Sequence, residues 1–240
     1  MNKLTDVKGV IFDYGGTIDT NSRHWAEVLW SKYEAFQVPV DKASFREAYV
    51  HGERTLARVP LVKPEHNFHD VLRIKTDIQV KYLVEQGKLD EATASRERYA
   101  EKVADSCYRY VLDVLERTRP VVKTLSERYK LVLVSNFYGN IQTILKDFGL
   151  FDFFSDIIES SVVGVRKPDP AIYRLGVEAM GLPAGNVLVV GDSFSKDMVP
   201  AKKVGCKVAW LKGEGWGNED IDETLPDLII TDLPELLSYV

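Results

Sequence analysis

Six short apolar runs punctuate the chain, at residues 9–12, 131–134, 156–159, 187–190, 207–211 and 227–231. The runs 131–134 and 187–190 show no polar alternation, as expected of strands buried on both faces. Helical spacing of apolar residues fills the gaps between the later runs, for example at 141–148 and 171–180. Strands that alternate with helices imply parallel pairing with crossovers. The expected fold class is therefore α/β, with a Rossmann-like parallel sheet core and helices on both faces.

The stretch from about residue 21 to 119 has a different pattern and offers no convincing strand. Trp25, Val28, Leu29, Tyr33 and Phe36 repeat at helical spacing, as do Phe68, Val71, Leu72, Ile78, Tyr82 and Leu83. Asn67 is placed to cap the second of these helices, with Asp70 in its first turn. A third, more charged helix is expected over about 90–116, and Pro120 suits the first turn of a new one. The expected division is an α/β core of residues 1–20 and 118–240, interrupted by an all-helical block of residues 21–117.

The strand ends hold the chemistry. The first run leads into Phe12-Asp13-Tyr14-Gly15-Gly16-Thr17, a carboxylate delivered into a glycine turn. Later runs or loops lead to Ser135-Asn136, to Lys167-Pro168, and to Gly191-Asp192-Ser193 with Asp197 beyond. In open α/β sheets ligands bind outside the carboxyl ends of the strands. Each residue also has a plainer reading. Asp13 suits a turn former, Ser135-Asn136 and Asp192 suit helix caps, Asp197 suits a first-turn helix acid, and Lys167 suits a solvated loop.

Composition narrows the field. A chain of 240 residues can bury a full core. A net charge of −5 argues against a nucleic-acid binder. Cys107 and Cys206 are the only cysteines and stand in no metal-like spacing, so both are read as packing thiols. No apolar run is long enough to span a bilayer, and the first residues lack a secretory pattern. The expectation is a cytoplasmic protein with no nucleic-acid and no membrane partner. Gly213-Glu214-Gly215-Trp216-Gly217-Asn218 is expected to be a flexible surface loop.

Together these segments resemble the four motifs of the haloacid dehalogenase-like hydrolase superfamily, in order and across nearly the whole chain. The helical block resembles the cap of one branch of that family. The resemblance implies a Mg²⁺-dependent phosphatase acting on a small phosphorylated metabolite. Asp13 would be the nucleophile, forming an aspartyl-phosphate, and Lys167 the catalytic charge clamp. Thr17, Ser135, Asn136 and Lys167 would bind the phosphoryl group. Asp13, the backbone carbonyl of Gly15, Asp192 and Asp197 would serve the metal, Asp197 either directly or by orienting its waters. The physical logic is independent of the name, because an anionic nucleophile needs the negative charge of a phosphoryl group neutralised.

One departure limits that reading. Phosphatases of the family place a second, proton-transferring aspartate where this chain has Gly15. Asp19 is a candidate substitute, or simply part of the linker to the cap. The alternatives are a hydrolase of a non-phosphate bond, dehalogenase- or phosphonatase-like, and a non-catalytic phospho-ligand binder. A phosphonatase would need a desolvated cap lysine, and nothing marks Lys32, Lys42 or Lys63 as one. His24 and Trp25 are candidates to line the pocket. Arg54, Arg58 and Arg73 either meet an anionic substrate or solvate a helix face, and metal ligation by His51, His66 or His69 is not expected.

Overall fold

The computed structural model describes residues 3–214 and 221–240. All six expected strands form, as β1 (Gly9–Phe12), β2 (Lys130–Ser135), β3 (Asp156–Glu159), β4 (Val187–Gly191), β5 (Lys207–Leu211) and β6 (Leu228–Ile230). They make one parallel sheet in the order β3-β2-β1-β4-β5-β6. β1 and β4 lie at the centre, so the loops after them open side by side. Of the glycine-rich loop read from the sequence, Gly213 and Glu214 are described, and Gly215, Trp216, Gly217 and Asn218 lie outside the described residues.

Alternate residues of each strand feed two separate apolar layers. Val10, Phe12, Leu131, Leu133, Leu188 and Val190 enter one cluster, and Ile11, Val132, Val134, Val187 and Val189 enter the other. Two-sided burial explains why these strands show no polar alternation.

The helices are α1 (Trp25–Ala35), α2 (Lys42–Arg58), α3 (Phe68–Glu85), α4 (Glu91–Glu97), α5 (Tyr99–Ser126), α6 (Ile141–Asp147), α7 (Ser160–Val163), α8 (Ala171–Met180) and α9 (Val199–Val204). The first five form the helical cap, inserted after β1. The first apolar layer continues from the sheet into the cap through Ala26, Leu29, Tyr33, Phe45, Leu72, Leu83 and Cys107. The second belongs to the core alone, packed by α8 and α9 through Ile172, Tyr173 and Ala201.

Three details differ from the sequence pattern. Helix α2 has no separate counterpart in that pattern. It is capped by Asp41, whose side chain accepts from Ser44 N. The single helix expected over 90–116 is two, broken at Arg98, which adopts a left-handed conformation (φ 52°). Pro120 lies inside α5 and starts nothing. Proline cannot donate its backbone hydrogen bond and normally breaks a helix. Here buried Leu115 and Thr118 before it, and Val121, Val122 and Leu125 after it, hold both halves in the core. Tertiary burial outweighs local propensity. As a result α5 runs unbroken across the boundary expected at residue 118. Thr118 Oγ1 donates to Ile18 O (2.7 Å), tying that helix to the turn before the cap. The Asn67 cap forms as expected, with Asn67 and Asp70 bonding each other's backbone N–H at 3.0 Å.

Cys107 and Cys206 are buried and unpaired, in keeping with packing roles. Among the described residues no helix is long and apolar enough to cross a membrane.

Candidate active site

The backbone of Asp13 extends the β1 ladder by one step, donating to Val190 O at 2.9 Å. That bond fixes where the carboxylate emerges, 6% exposed, beside the end of β4. Gly16 turns the chain away with φ 93°. Any Cβ there would collide with the Asp192 carboxyl, so this position has no room for a side chain. Thr17, fully buried, turns its hydroxyl to Asp13 Oδ2 (3.2 Å) and to Asp192 Oδ1 (3.4 Å). With one proton for two acceptors, it spans the two acids.

Lys167 arrives from the loop before α8. Asn136 grips its backbone on both sides, accepting from Lys167 N (2.8 Å) and donating to Lys167 O (3.1 Å). The ammonium donates to Asp13 Oδ1 (2.6 Å) and Asp197 Oδ1 (2.7 Å). Asp197 is lifted into place by a single π-turn (Phe194–Met198) directly after the Ser193 cap, an irregularity often found where a helix serves a site. It also accepts from Tyr173 OH (2.6 Å) and Ser193 N (2.9 Å). Asp192 is anchored through its backbone carbonyl, which accepts from Trp210 Nε1 at 2.8 Å.

Asp13, Asp192 and Asp197 bring carboxylate oxygens within 4.8 Å of one another, a group able to hold a metal ion. One ammonium faces three acids, and the protonation equilibria reflect it. Burial, then repulsion from Asp13 and Asp197, pushes Asp192 well above the usual carboxylate range. Burial also raises Asp13, to about 6, although Lys167 opposes the shift. Lys167 itself is held above the normal lysine range, because attraction from Asp13 and Asp197 outweighs its burial. Uncompensated buried charge of this kind is costly unless a cation completes the site.

Above this floor opens a cavity of about 850 Å³. Ser135, Asn136, Gly15, His24 and Trp25 all border it. A Cβ on Gly15 would meet nothing within 4 Å, and the φ of this residue lies outside the left-handed region. Asp19 is more than linker. It is 1% exposed, borders the cavity, and accepts from Gly16 N (2.7 Å) and Trp25 Nε1 (2.9 Å). Burial raises it to about 7. The Nδ1 of His24 accepts from Ala26 N (3.1 Å), and burial lowers this imidazole to about 4. A neutral ring with that nitrogen engaged carries its proton on Nε2.

Sequence reading gave no role to five contributors, Tyr173, Gly191, Lys75, Glu53 and Tyr138. Tyr173 and Gly191 support Asp197; a Cβ on Gly191 would fall 2.6 Å from that side chain. Lys75 on α3 is 7% exposed, pairs with Glu53 on α2 (2.7 Å) and borders the cavity. It is the desolvated cap lysine that Lys32, Lys42 and Lys63 are not. Attraction from Glu53 outweighs burial and holds it protonated, above the normal range. Tyr138 Oη donates to Glu53 Oε2 at 3.4 Å, joining the loop after β2 to the cap. Of these only Gly191 left a sequence signal, as a glycine at a strand end. The remaining histidines lie in other contacts: His69 meets Asp105 (2.6 Å), His51 stacks on Tyr82, and His66 Nδ1 accepts from Lys63 N. Arg73 reaches Glu101 at 4.0 Å, away from the cavity.

Comparison with known proteins places the family and the fold. A family model described as haloacid dehalogenase-like hydrolase matches residues 7–205. The chain is 30% identical over 178 residues to 5-amino-6-(5-phospho-D-ribitylamino)uracil phosphatase YigB of Escherichia coli, covering 72% of this chain and 71% of that one. It is 31% identical over 158 residues to phosphoserine phosphatase of Thermus thermophilus, covering 62% of this chain and 60% of that one. Among solved structures, the HAD-hydrolase YfnB of Bacillus subtilis, bound to magnesium, superimposes with a TM-score of 0.58 at 20% identity, covering 97% of each chain.

Proposed function

The chain belongs to the haloacid dehalogenase-like hydrolase family, and from that premise we propose a Mg²⁺-dependent phosphatase that acts on a small phosphorylated metabolite through Asp13. The observation that carries this reading is the meeting of Asp13, Lys167, Asp192 and Asp197 at one cavity floor, from segments up to about 180 residues apart. The donor set is hard oxygen throughout, which suits Mg²⁺ and does not suit the softer metals that prefer nitrogen or sulfur. Asp13, Asp192 and the Gly15 carbonyl would hold it. Asp197 already accepts from three donors, which favours the water-orienting role for it. When bound, the ion would supply positive charge to the phosphoryl oxygens.

The chain's own residues do the rest. Asp13 attacks phosphorus with one carboxylate oxygen, the substrate oxygen leaves, and an aspartyl-phosphate forms. Lys167 offsets charge on the carboxylate and the transferring group. Ser135 donates to a phosphoryl oxygen at the end of β2. Asn136 acts mainly by fixing the Lys167 backbone. Water then cleaves the acyl phosphate and releases Asp13.

Gly15 provides no proton for the leaving group, so good leaving groups such as acyl and aryl phosphates are the favoured test substrates. The protonated state of Lys75 argues against an imine-forming, phosphonatase-like route, because an ammonium is not a nucleophile. Acetyl phosphate and p-nitrophenyl phosphate should be hydrolysed with Mg²⁺ and not after chelation. Asp13→Asn should lose about four powers of ten or more in kcat. Turnover that survives Asp13→Asn would remove Asp13 from the chemistry.

A further inference from the structure

The charges around the cavity are sorted by burial. At the floor, Lys167 and a bound divalent cation would offset Asp13, Asp192 and Asp197, leaving little net charge there. Around the mouth stand Arg54, Arg58, Arg166 and Lys196, all exposed, whereas Lys75 is 7% exposed and belongs to the wall with Glu53. Glu53 is taken by Lys75. None of Arg54, Arg58, Arg166 and Lys196 has a carboxylate within ion-pair distance among the described residues. Yet the chain as a whole carries a net charge of −5, so this cationic rim runs against the overall sign.

Arg54 and Arg58 are one turn apart on α2, on the face that meets the cavity. Side chains four apart share a helix face, and like charges there repel. Repulsion of that kind is relieved when an anion enters. A phosphoryl dianion at Asp13 would offset only about half of the surplus at the mouth. The cavity, at about 850 Å³, is also far larger than a phosphoryl group and is of the size that holds a whole small molecule.

Resting on the phosphatase reading above, we propose that the substrate is a small phosphomonoester bearing a second anionic group, a carboxylate or a further phosphate, held at the mouth by Arg54 and Arg58. The phosphoryl group to be cleaved points down to Asp13, and the second anion remains at the rim. Lys75, committed to Glu53, shapes the wall between them. The rim also draws anionic molecules toward the cavity, an effect that weakens as salt rises.

Matched pairs of substrates test this and separate the two kinds of anion. 3-Phosphoglycerate against glycerol 3-phosphate varies a carboxylate, and fructose 1,6-bisphosphate against fructose 6-phosphate varies a phosphate. In at least one pair kcat/KM should favour the more anionic member by about tenfold, and added salt should shrink the ratio. In the double variant Arg54→Gln, Arg58→Gln that ratio should fall by at least about threefold, roughly the loss of two partly screened ion pairs. Ratios near one in both pairs, or a ratio that the double variant leaves unchanged, overturn the proposal while phosphatase turnover stands. If neither a phosphomonoester nor acetyl phosphate is hydrolysed, the phosphatase reading fails. Calorimetric binding of the same pairs to the Mg²⁺-loaded wild type then decides: preference for the more anionic member supports the rim assignment, and equal binding overturns it.

Discussion

The floor and the cap wall of the cavity are built by different means. On the floor, Asp13, Lys167, Asp192 and Asp197 are placed by backbone: a ladder bond from Asp13 N to Val190 O, the double grip of Asn136 on Lys167, and the π-turn under Asp197. On the cap wall, Glu53, Arg54, Arg58 and Lys75 are long side chains on helices α2 and α3. Their positions depend on how those helices pack. The floor suits chemistry, which requires groups held within fractions of an ångström. The wall suits selection among substrates, where side chains exchange partners without disturbing the sheet.

That contrast can be broken first at the two adjacent glycines of the Asp13 turn. Gly15→Asp enters open space with an ordinary φ and should raise kcat on alkyl phosphates by about 10²–10⁴, the range of general acid–base help. Gly16→Ala should do the opposite, because its Cβ meets the Asp192 carboxyl and its φ of 93° strains any L-residue. A loss of turnover of about a hundredfold or more is expected. Steady-state kinetics on ethyl phosphate for the first, and on p-nitrophenyl phosphate for the second, check both. Equal behaviour of the two variants would mean that the turn is not the rigid element described.

A smaller effect sharpens the cap side. Lys75→Met leaves Glu53 without its cation, though that carboxylate is 36% exposed and water repairs part of the loss. Destabilisation of about 2–3 kcal/mol is expected from urea unfolding, below the 3–5 kcal/mol typical of a fully buried pair. A change near zero would show that the pair shapes the pocket without holding the cap.

The smallest effect lies at the junction of the two regions, where Asp19 accepts from the floor turn at Gly16 and from Trp25 of the cap. Its folded pKa, about 7, stands above the ordinary aspartate value of 3.8. Between those values the folded protein binds a proton that the unfolded chain does not. Stability from this group is therefore full at the acid end of the window and lost as pH rises through about 7. Asp19→Asn lacks that dependence, so its unfolding free energy should gain on that of the wild type between pH 5 and pH 8, by on the order of 2 kcal/mol. A gap independent of pH would place the Asp19 titration elsewhere.

The amino-acid pattern alone determined the sheet and the floor. Six apolar runs became six strands because two-sided burial demands unbroken apolar residues, and polar residues at their ends could only emerge at one edge of a parallel sheet. Asp13, Ser135 and Asp192 were legible for that reason, and Lys167 and Asp197, which lie beyond the strand ends in the loop before α8 and in the π-turn, through the motifs they resemble. Tertiary structure alone decided the rest. Helical periodicity reports which face is apolar but not which polar residue at its border turns to a cavity, so Lys75 and Glu53 stayed hidden, and Arg54 could not be told from Arg73. Tyr173 looked like ordinary helix core until its hydroxyl met Asp197. Pro120 looked like a helix start, and only packing on both sides of it carried α5 through. Strand ends are positioned by local hydrogen bonding that sequence announces, whereas cavity walls are positioned by contacts between elements distant in the chain, which local sequence does not encode.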